Sequence, residues 1–204
     1  MHLVGLVGRA GAGKDTVAEM IGRRVRIARF AFADALKAEL ADAYLVDPRL
    51  FSLREGKELH RRRLALNRCG SREFRQRFDS IAPGQPLSPR WVMQQWGDMM
   101  RERDPEHYVW PAVVARAAAI NSAADMLVVT DVRFVNEADW ITRNGGLLWR
   151  IVRDGAASAD RHPSETTGDG LPLDAVIRND GTLEDLERTV ADLVGQVMEA
   201  RDAA

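Results

Sequence analysis

Cysteine is nearly absent: Cys69 is the single one in 204 residues. No internal disulfide can form, which suits a reducing cytoplasm. Neither sign of charge dominates, since 29 Lys and Arg stand against 30 Asp and Glu for a net charge of −1. A dedicated nucleic-acid binder normally carries a global basic excess, so the balance counts against that class. Long apolar runs are missing too. None approaches the roughly 20 residues that span a bilayer, so no membrane partner is expected. The four histidines are too scattered for a zinc site. There are no repeats or low-complexity tracts. The given chain opens almost at once on a strand pattern, where no signal peptide fits, and the expected location is cytoplasmic.

What is present is ordinary globular chemistry with one sharp motif. The length and a hydrophobic content of 46% suit one α/β domain with a modest insertion. After the apolar stretch Leu3-Val4-Gly5-Leu6-Val7 comes Gly8-Arg9-Ala10-Gly11-Ala12-Gly13-Lys14-Asp15-Thr16. This spacing predicts a phosphate-binding loop between a strand and a helix. The glycines let backbone N–H groups turn inward around a phosphate, and Lys14 adds a mobile positive charge. The following residues carry a helical pattern, so the helix N-terminus faces the anion as well. Asp15 stands where a Ser or Thr usually meets Mg²⁺, with Thr16 one residue later.

The rest of the chain alternates strand and helix patterns. Strands are predicted at about His2–Val7, Arg29–Ala33, Met126–Thr130, Leu147–Val152 and Ala175–Ile177. Helices are predicted at about Lys14–Arg26, from a capping Asp34 to Tyr44, from Ser88-Pro89 to Arg103, from Asp104-Pro105 onward, at Asn136–Asn144, and after Thr182. Thr182 and Asp185 form a capping-box pattern. The alternation implies an α/β fold, a doubly wound parallel sheet of about five strands. The domain expected is a single one over 1–204, with a helical substrate-binding insertion at about 47–122 and a lid at about 153–172. Ligands in such sheets bind at the carboxyl ends of the strands. That rule gathers the loop, Asp34, Asp131, Arg153 and Asn179 on one rim. Residues 54–77 are rich in Arg and Lys, either as a solvated face or as a wall that attracts an anionic substrate.

Taken together, several segments are specific. They are Gly13-Lys14-Asp15-Thr16, Phe32-Ala33-Asp34-Ala35-Leu36-Lys37, Gln95-Trp96-Gly97-Asp98, and Arg101 before Asp104-Pro105. Thr130-Asp131-Val132-Arg133-Phe134-Val135-Asn136-Glu137, Gly145-Gly146 and His162-Pro163-Ser164-Glu165 follow in order. The chain resembles the phage-type deoxynucleoside monophosphate kinases of the P-loop nucleoside monophosphate kinase superfamily. The likeness runs over about residues 3–190 and is weakest over 48–88. The Asp after the loop lysine is normal in that family. The resemblance implies phosphoryl transfer from ATP to a deoxynucleoside monophosphate, with Mg²⁺.

Candidate roles follow. Gly11, Ala12, Gly13, Lys14, Asp15 and Thr16 are expected to hold the ATP phosphates, because phosphoryl transfer needs charge neutralised and reactants aligned. Asp15, Thr16 and Asp131 are the candidate Mg²⁺ contacts; either Asp15 meets the metal, or Thr16 does while Asp15 caps the helix. Asp131 ends a buried strand, where a carboxylate needs a partner, and is read either as a reaction-centre residue or as an ion pair with Arg133. Arg133 and Arg101 are candidate grips on the acceptor phosphate. The resemblance makes Asp34 a substrate or metal contact and Lys37 a phosphate contact, against a bland reading of Asp34 as a cap. Gln95 can pair with a base edge. Trp96 is either a stacking surface for the base or core packing. Arg153 and Arg161 flank a polar loop that reads as a lid over ATP, with Arg153 near the chemistry. His162 orders that loop. Asn179 is placed at the adenine of ATP.

The expected partner is a small nucleotide, with no nucleic acid, and a homodimer is carried as the assembly. The rival readings are another small-molecule P-loop kinase, of phosphomevalonate or dephospho-coenzyme A type, and, from other classes, a nucleotide-dependent switch or a nucleic-acid end kinase. A base-reading surface at Gln95 and Trp96 discriminates the first of these.

Overall fold

Five apolar segments pair into one parallel sheet: β1 (His2–Val7), β2 (Ile27–Phe30), β3 (Met126–Val132), β4 (Leu147–Val152) and β5 (Ala175–Arg178). The computed structural model describes residues 1–52, 56–155 and 170–202. The strand order is β2-β3-β1-β4-β5. β1 is central, and the order reverses across it, so the loop leaving β1 lies at the topological switch point. Parallel neighbours require crossovers. Among the described residues α1 (Lys14–Gly22), α2 (Phe32–Tyr44), α3 (Arg72–Arg77), α4 (Pro89–Arg103), α5 (Val109–Asn121) and α6 (Val135–Arg143) lie between strands, and α7 (Leu183–Asp202) follows β5.

Alternate strand residues face opposite sides of the sheet. Val4, Leu6, Val128, Trp149 and Ile177 pack on one side against Val17 and Ile21 of α1 and Val190 and Val194 of α7. Each such fully buried aliphatic side chain contributes about 1.5–3 kcal/mol. Gly5 faces the other side, where a Cβ would lie 2.5 Å from Ile141 Cδ1 of α6. Helices therefore cover both faces, the doubly wound α/β arrangement the alternation implies.

The described residues form two compact units, Met1–Phe32 with Val109–Ala204, and Ala33–Tyr108. The first holds the sheet, and α5 groups with it, packed on β2, β3 and α6. The second is built from most of α2, short 3₁₀ turns, α3 and α4. Its centre buries Leu40, Phe51, Leu64, Phe74 and Val92. Phe74, Phe78, Trp91 and Trp96 form an aromatic cluster of edge-on and tilted neighbours with contacting centroids 4.9–6.3 Å apart. Ser88 Oγ accepts the Trp91 N–H and Pro89 occupies the first turn, so α4 starts where Ser88-Pro89 predicts.

Several boundaries differ from the sequence reading, three of them with a clear cause. α1 ends at Gly22 rather than Arg26; the Arg24 N–H bonds three residues back, to the Ile21 carbonyl, as the last turn tightens. β2 lies earlier than Arg29–Ala33. Its register onto Met126–Val129 fixes it at Ile27–Phe30, and Arg26 is anchored just before it by the Asp125 carboxylate. α5 starts at Val109, not at Asp104-Pro105. Asp104 instead closes a tight turn, its Oδ1 accepting the Glu106 N–H and its carbonyl the His107 N–H. Pro111 then falls in the first turn of α5, where its missing N–H costs nothing. The capping box at α7 stands: Thr182 Oγ1 accepts the Asp185 N–H and Asp185 Oδ2 accepts the Thr182 N–H, both at 3.2 Å. The Thr182 hydroxyl, which donates to Asp185 Oδ2 at 2.8 Å, and then the Thr182 N–H hold the Asp185 carboxyl below its usual range.

In the second unit, burial pushes the Cys69 thiol above its ordinary 9.0 and the Tyr44 and Tyr108 hydroxyls far above 10.0. All three are acids whose neutral form the folded state prefers. Their contribution to stability is complete below the ordinary thiol value and is lost as pH rises through the higher folded values. The urea midpoint should therefore fall between about pH 8 and about pH 10.5. An unchanged midpoint over that interval would refute the assignment.

Candidate functional site

The loop Gly8–Thr16 joins β1 to α1 and is shaped by its glycines and by one distant side chain. Gly13 sits at φ +105 and ends the loop as the residue before α1, with no side-chain cap. A Cβ there would collide with the Asn179 amide nitrogen. That amide donates to the Ala12 carbonyl at 2.8 Å, while the Asn179 backbone N–H bonds to Val152. Asn179, beyond β5, thus ties the loop down. A Cβ at Gly8 would lie 2.6 Å from the Ile151 carbonyl oxygen, so the chain passes β4 at close range. Val17 makes the first bond of the α1 ladder, to Gly13. Helix α1 presents its first-turn N–H groups at this end of the loop, as every helix N-terminus does. The Lys14 ammonium donates to the Gly8 carbonyl at 2.6 Å and the Arg9 carbonyl at 3.0 Å, which keeps its charge at the loop.

Gly13→Ala should cost about 1–3 kcal/mol through its left-handed backbone and displace the Asn179 tie. Nucleotide titration should then show weaker binding than for the wild type. Unchanged affinity would show that this turn has no part in holding phosphate.

The end of β3 lies beside that loop, since Val132 is in register with Val7. Asp131 is half-buried there, and its Oδ1 accepts the Phe32 N–H at 2.8 Å. Asp131 is therefore the cap of α2. Asp34, expected to cap that helix, instead lies inside its first turn and pairs with Lys37 at 2.8 Å. Glu137 is 2% exposed, and its Oε2 accepts the Arg133 N–H at 2.8 Å and the Phe134 N–H at 3.1 Å. It fixes the backbone of Arg133 at the start of α6.

A cavity of about 460 Å³ opens beside Thr16, lined by Arg153, Asp154, Asn179, Asp180 and Leu183 among others. Asp180 Oδ1 accepts the Asp154 N–H, which joins the segments leaving β4 and β5. Thr16, Arg153 and Asn179 of the sequence reading come together here. Asp154 and Asp180 were not singled out, and only their place just after strands could have signalled them; Leu183, expected on the buried face of the last helix, is exposed here.

In the second unit, Gln95 is half-buried on α4. Trp96 is not a stacking surface. It is 5% exposed, its Nε1–H donates to Glu39 Oε2 at 2.8 Å, and its ring packs on Phe74. Glu39 also meets His107 Nε2 at 2.6 Å and the Tyr108 hydroxyl at 3.1 Å. Arg101 lies over the Tyr108 ring at 4.8 Å. Glu39, His107 and Tyr108 carried no sequence signal, because their partners are distant in the chain. Within the basic stretch, Arg77 forks onto Glu102 at 2.6 Å and Arg75 bonds the Cys69 carbonyl, so these two are structural. Arg62, Arg63, Arg68 and Arg72 are exposed. Arg161 and His162 lie outside the described residues, as does most of the lid segment. Among the described residues no helix is long and apolar enough to cross a membrane, and no group of three metal-ligating side chains occurs.

The family model for deoxynucleotide monophosphate kinase matches residues 67–190, more than half of the chain. A relative from Acanthamoeba polyphaga mimivirus, named for the same activity, is 31% identical over 195 residues, covering 91% of this chain and 92% of that protein. The deoxynucleotide monophosphate kinase of Escherichia phage RB69 is 43% identical over 70 residues, 33% of this chain and 28% of its own. That of Enterobacteria phage T4 is 34% identical over 104 residues, 48% and 42% of the respective chains.

Proposed function

The chain belongs to the deoxynucleotide monophosphate kinase family, and we propose that it transfers the γ-phosphoryl group of ATP to a deoxynucleoside monophosphate, giving the diphosphate and ADP. The observation that carries this reading is the loop Gly8–Thr16 at the switch point of the sheet, tied by Asn179 and bordered by the 460 Å³ cavity. The cavity has the size of a small-molecule site. A nucleoside placed against Arg153 and Asn179 would set its phosphates at the N-terminus of α1. Lys14 would then leave the Gly8 and Arg9 carbonyls for the β- and γ-phosphates.

Phosphate-bound Mg²⁺ is usually held by one or two carboxylates besides the phosphates; the exposed Asp15 and the Asp131 carboxylates fit that demand, with the Thr16 hydroxyl as a further oxygen donor. When bound, the ion would neutralise charge on the transferring group. Arg101 and Arg133 are assigned to the acceptor phosphate, because a dianion approaching ATP must be held against strong repulsion. Gln95 is assigned to the base edge and Lys37, held by Asp34, to phosphate.

The test is ADP release measured across deoxynucleoside and ribonucleoside monophosphates, on the wild type and on Arg101→Lys and Arg133→Lys. Lysine keeps the charge but loses the planar fork. Activity should be highest with deoxynucleoside monophosphates. Each variant should raise KM for the monophosphate by about tenfold, with ATP affinity retained. Wild-type titrations from both variants would remove these arginines from the acceptor site. ADP release with no monophosphate but with another phosphorylated small molecule would remove the proposed reaction.

A further inference from the structure

Gly97 lies in the interior of α4, where glycine weakens a helix. Its backbone is not left-handed, so conformation does not require glycine there. Space does. A Cβ at Gly97 would lie 2.8 Å from Arg101 Nη1, one helical turn further on, so the guanidinium rests against the helix backbone. The second wall is the Tyr108 ring, whose centroid is 4.8 Å from Arg101 Cζ. Tyr108 is 2% exposed, and its hydroxyl donates to Glu39 Oε2 at 3.1 Å. The same carboxylate takes Trp96 Nε1 and His107 Nε2, which ties α2 to α4 and to the residues before α5.

We infer that Gly97 and Tyr108 are positioning residues that clamp the Arg101 guanidinium flat, with Glu39 holding Tyr108 in place. A fork held in one plane before the substrate arrives loses little rotamer freedom on forming paired N–H bonds to a phosphate. The clamp is thus a determinant of acceptor affinity, and it rests on the reading of Arg101 as an acceptor-phosphate contact.

The experiment measures KM and kcat with dAMP, dCMP, dGMP and dTMP, KM for ATP, and the melting temperature. The variants are Arg101→Ala, Gly97→Ala, Tyr108→Phe, Tyr108→Leu and the Gly97→Ala/Arg101→Ala double. Gly97→Ala favours the helix, so its melting temperature should hold or rise, yet KM for the monophosphate should rise about tenfold with KM for ATP unmoved. Tyr108→Leu should do the same, and Tyr108→Phe, which keeps the ring, should raise it less. In the Arg101→Ala background Gly97→Ala should add nothing. If Arg101→Ala leaves every monophosphate KM at the wild-type value, the acceptor reading falls and the clamp with it. If Arg101→Ala raises KM but Gly97→Ala does not, or adds its full effect without Arg101, the clamp alone is overturned.

Discussion

Lys14→Ala is expected to reduce phosphoryl transfer by about 10²–10³-fold, the scale of losing one preorganised charge partner of the transition state. The fold should survive. The ammonium bonds the loop carbonyls of Gly8 and Arg9, and the backbone of α1 starts at this residue whatever its side chain. Nucleotide affinity should fall less than turnover, because the helix end and the Asn179-braced turn remain to hold phosphate. Circular dichroism and nucleotide titration, run beside single-turnover kinetics, separate these effects. Near-normal turnover in a folded variant would sink the assignment of the loop to catalysis. A loss of folding would show instead that the two carbonyl bonds from Lys14 hold the loop together.

What was legible in the sequence was local. The glycine spacing after an apolar run located the loop, and Ser88-Pro89 and Thr182 with Asp185 located two helix starts, because the cap and the groups it satisfies lie within four residues of each other. What was not legible depends on partners far along the chain. α2 begins at Phe32 because its cap is Asp131, 99 residues away. Asn179 braces the loop across 167 residues. Trp96 shares the buried face of α4 with Val92 and Met99, and periodicity alone does not say that Glu39 takes its N–H. The Glu39 hub has the same origin, with partners 57, 68 and 69 residues distant.

Asp131 offers the second large effect, and one that separates two roles of a single carboxylate. Its Oδ1 caps α2 through the Phe32 N–H, and its place beside Val132 sets its charge next to the loop that leaves β1. Asn keeps the acceptor oxygen and removes the charge. Asp131→Asn should therefore change stability by less than about 1 kcal/mol while turnover falls about 10²–10³-fold. Asp131→Ala removes the cap as well and should cost about a further 1 kcal/mol of stability. Denaturant melts and steady-state rates on the two variants make the comparison. If Asp131→Asn turns over like the wild type and only Asp131→Ala loses stability, the carboxylate is a helix cap alone. If both lose turnover equally and only Ala loses stability, the charge acts in the reaction and the oxygen in the fold.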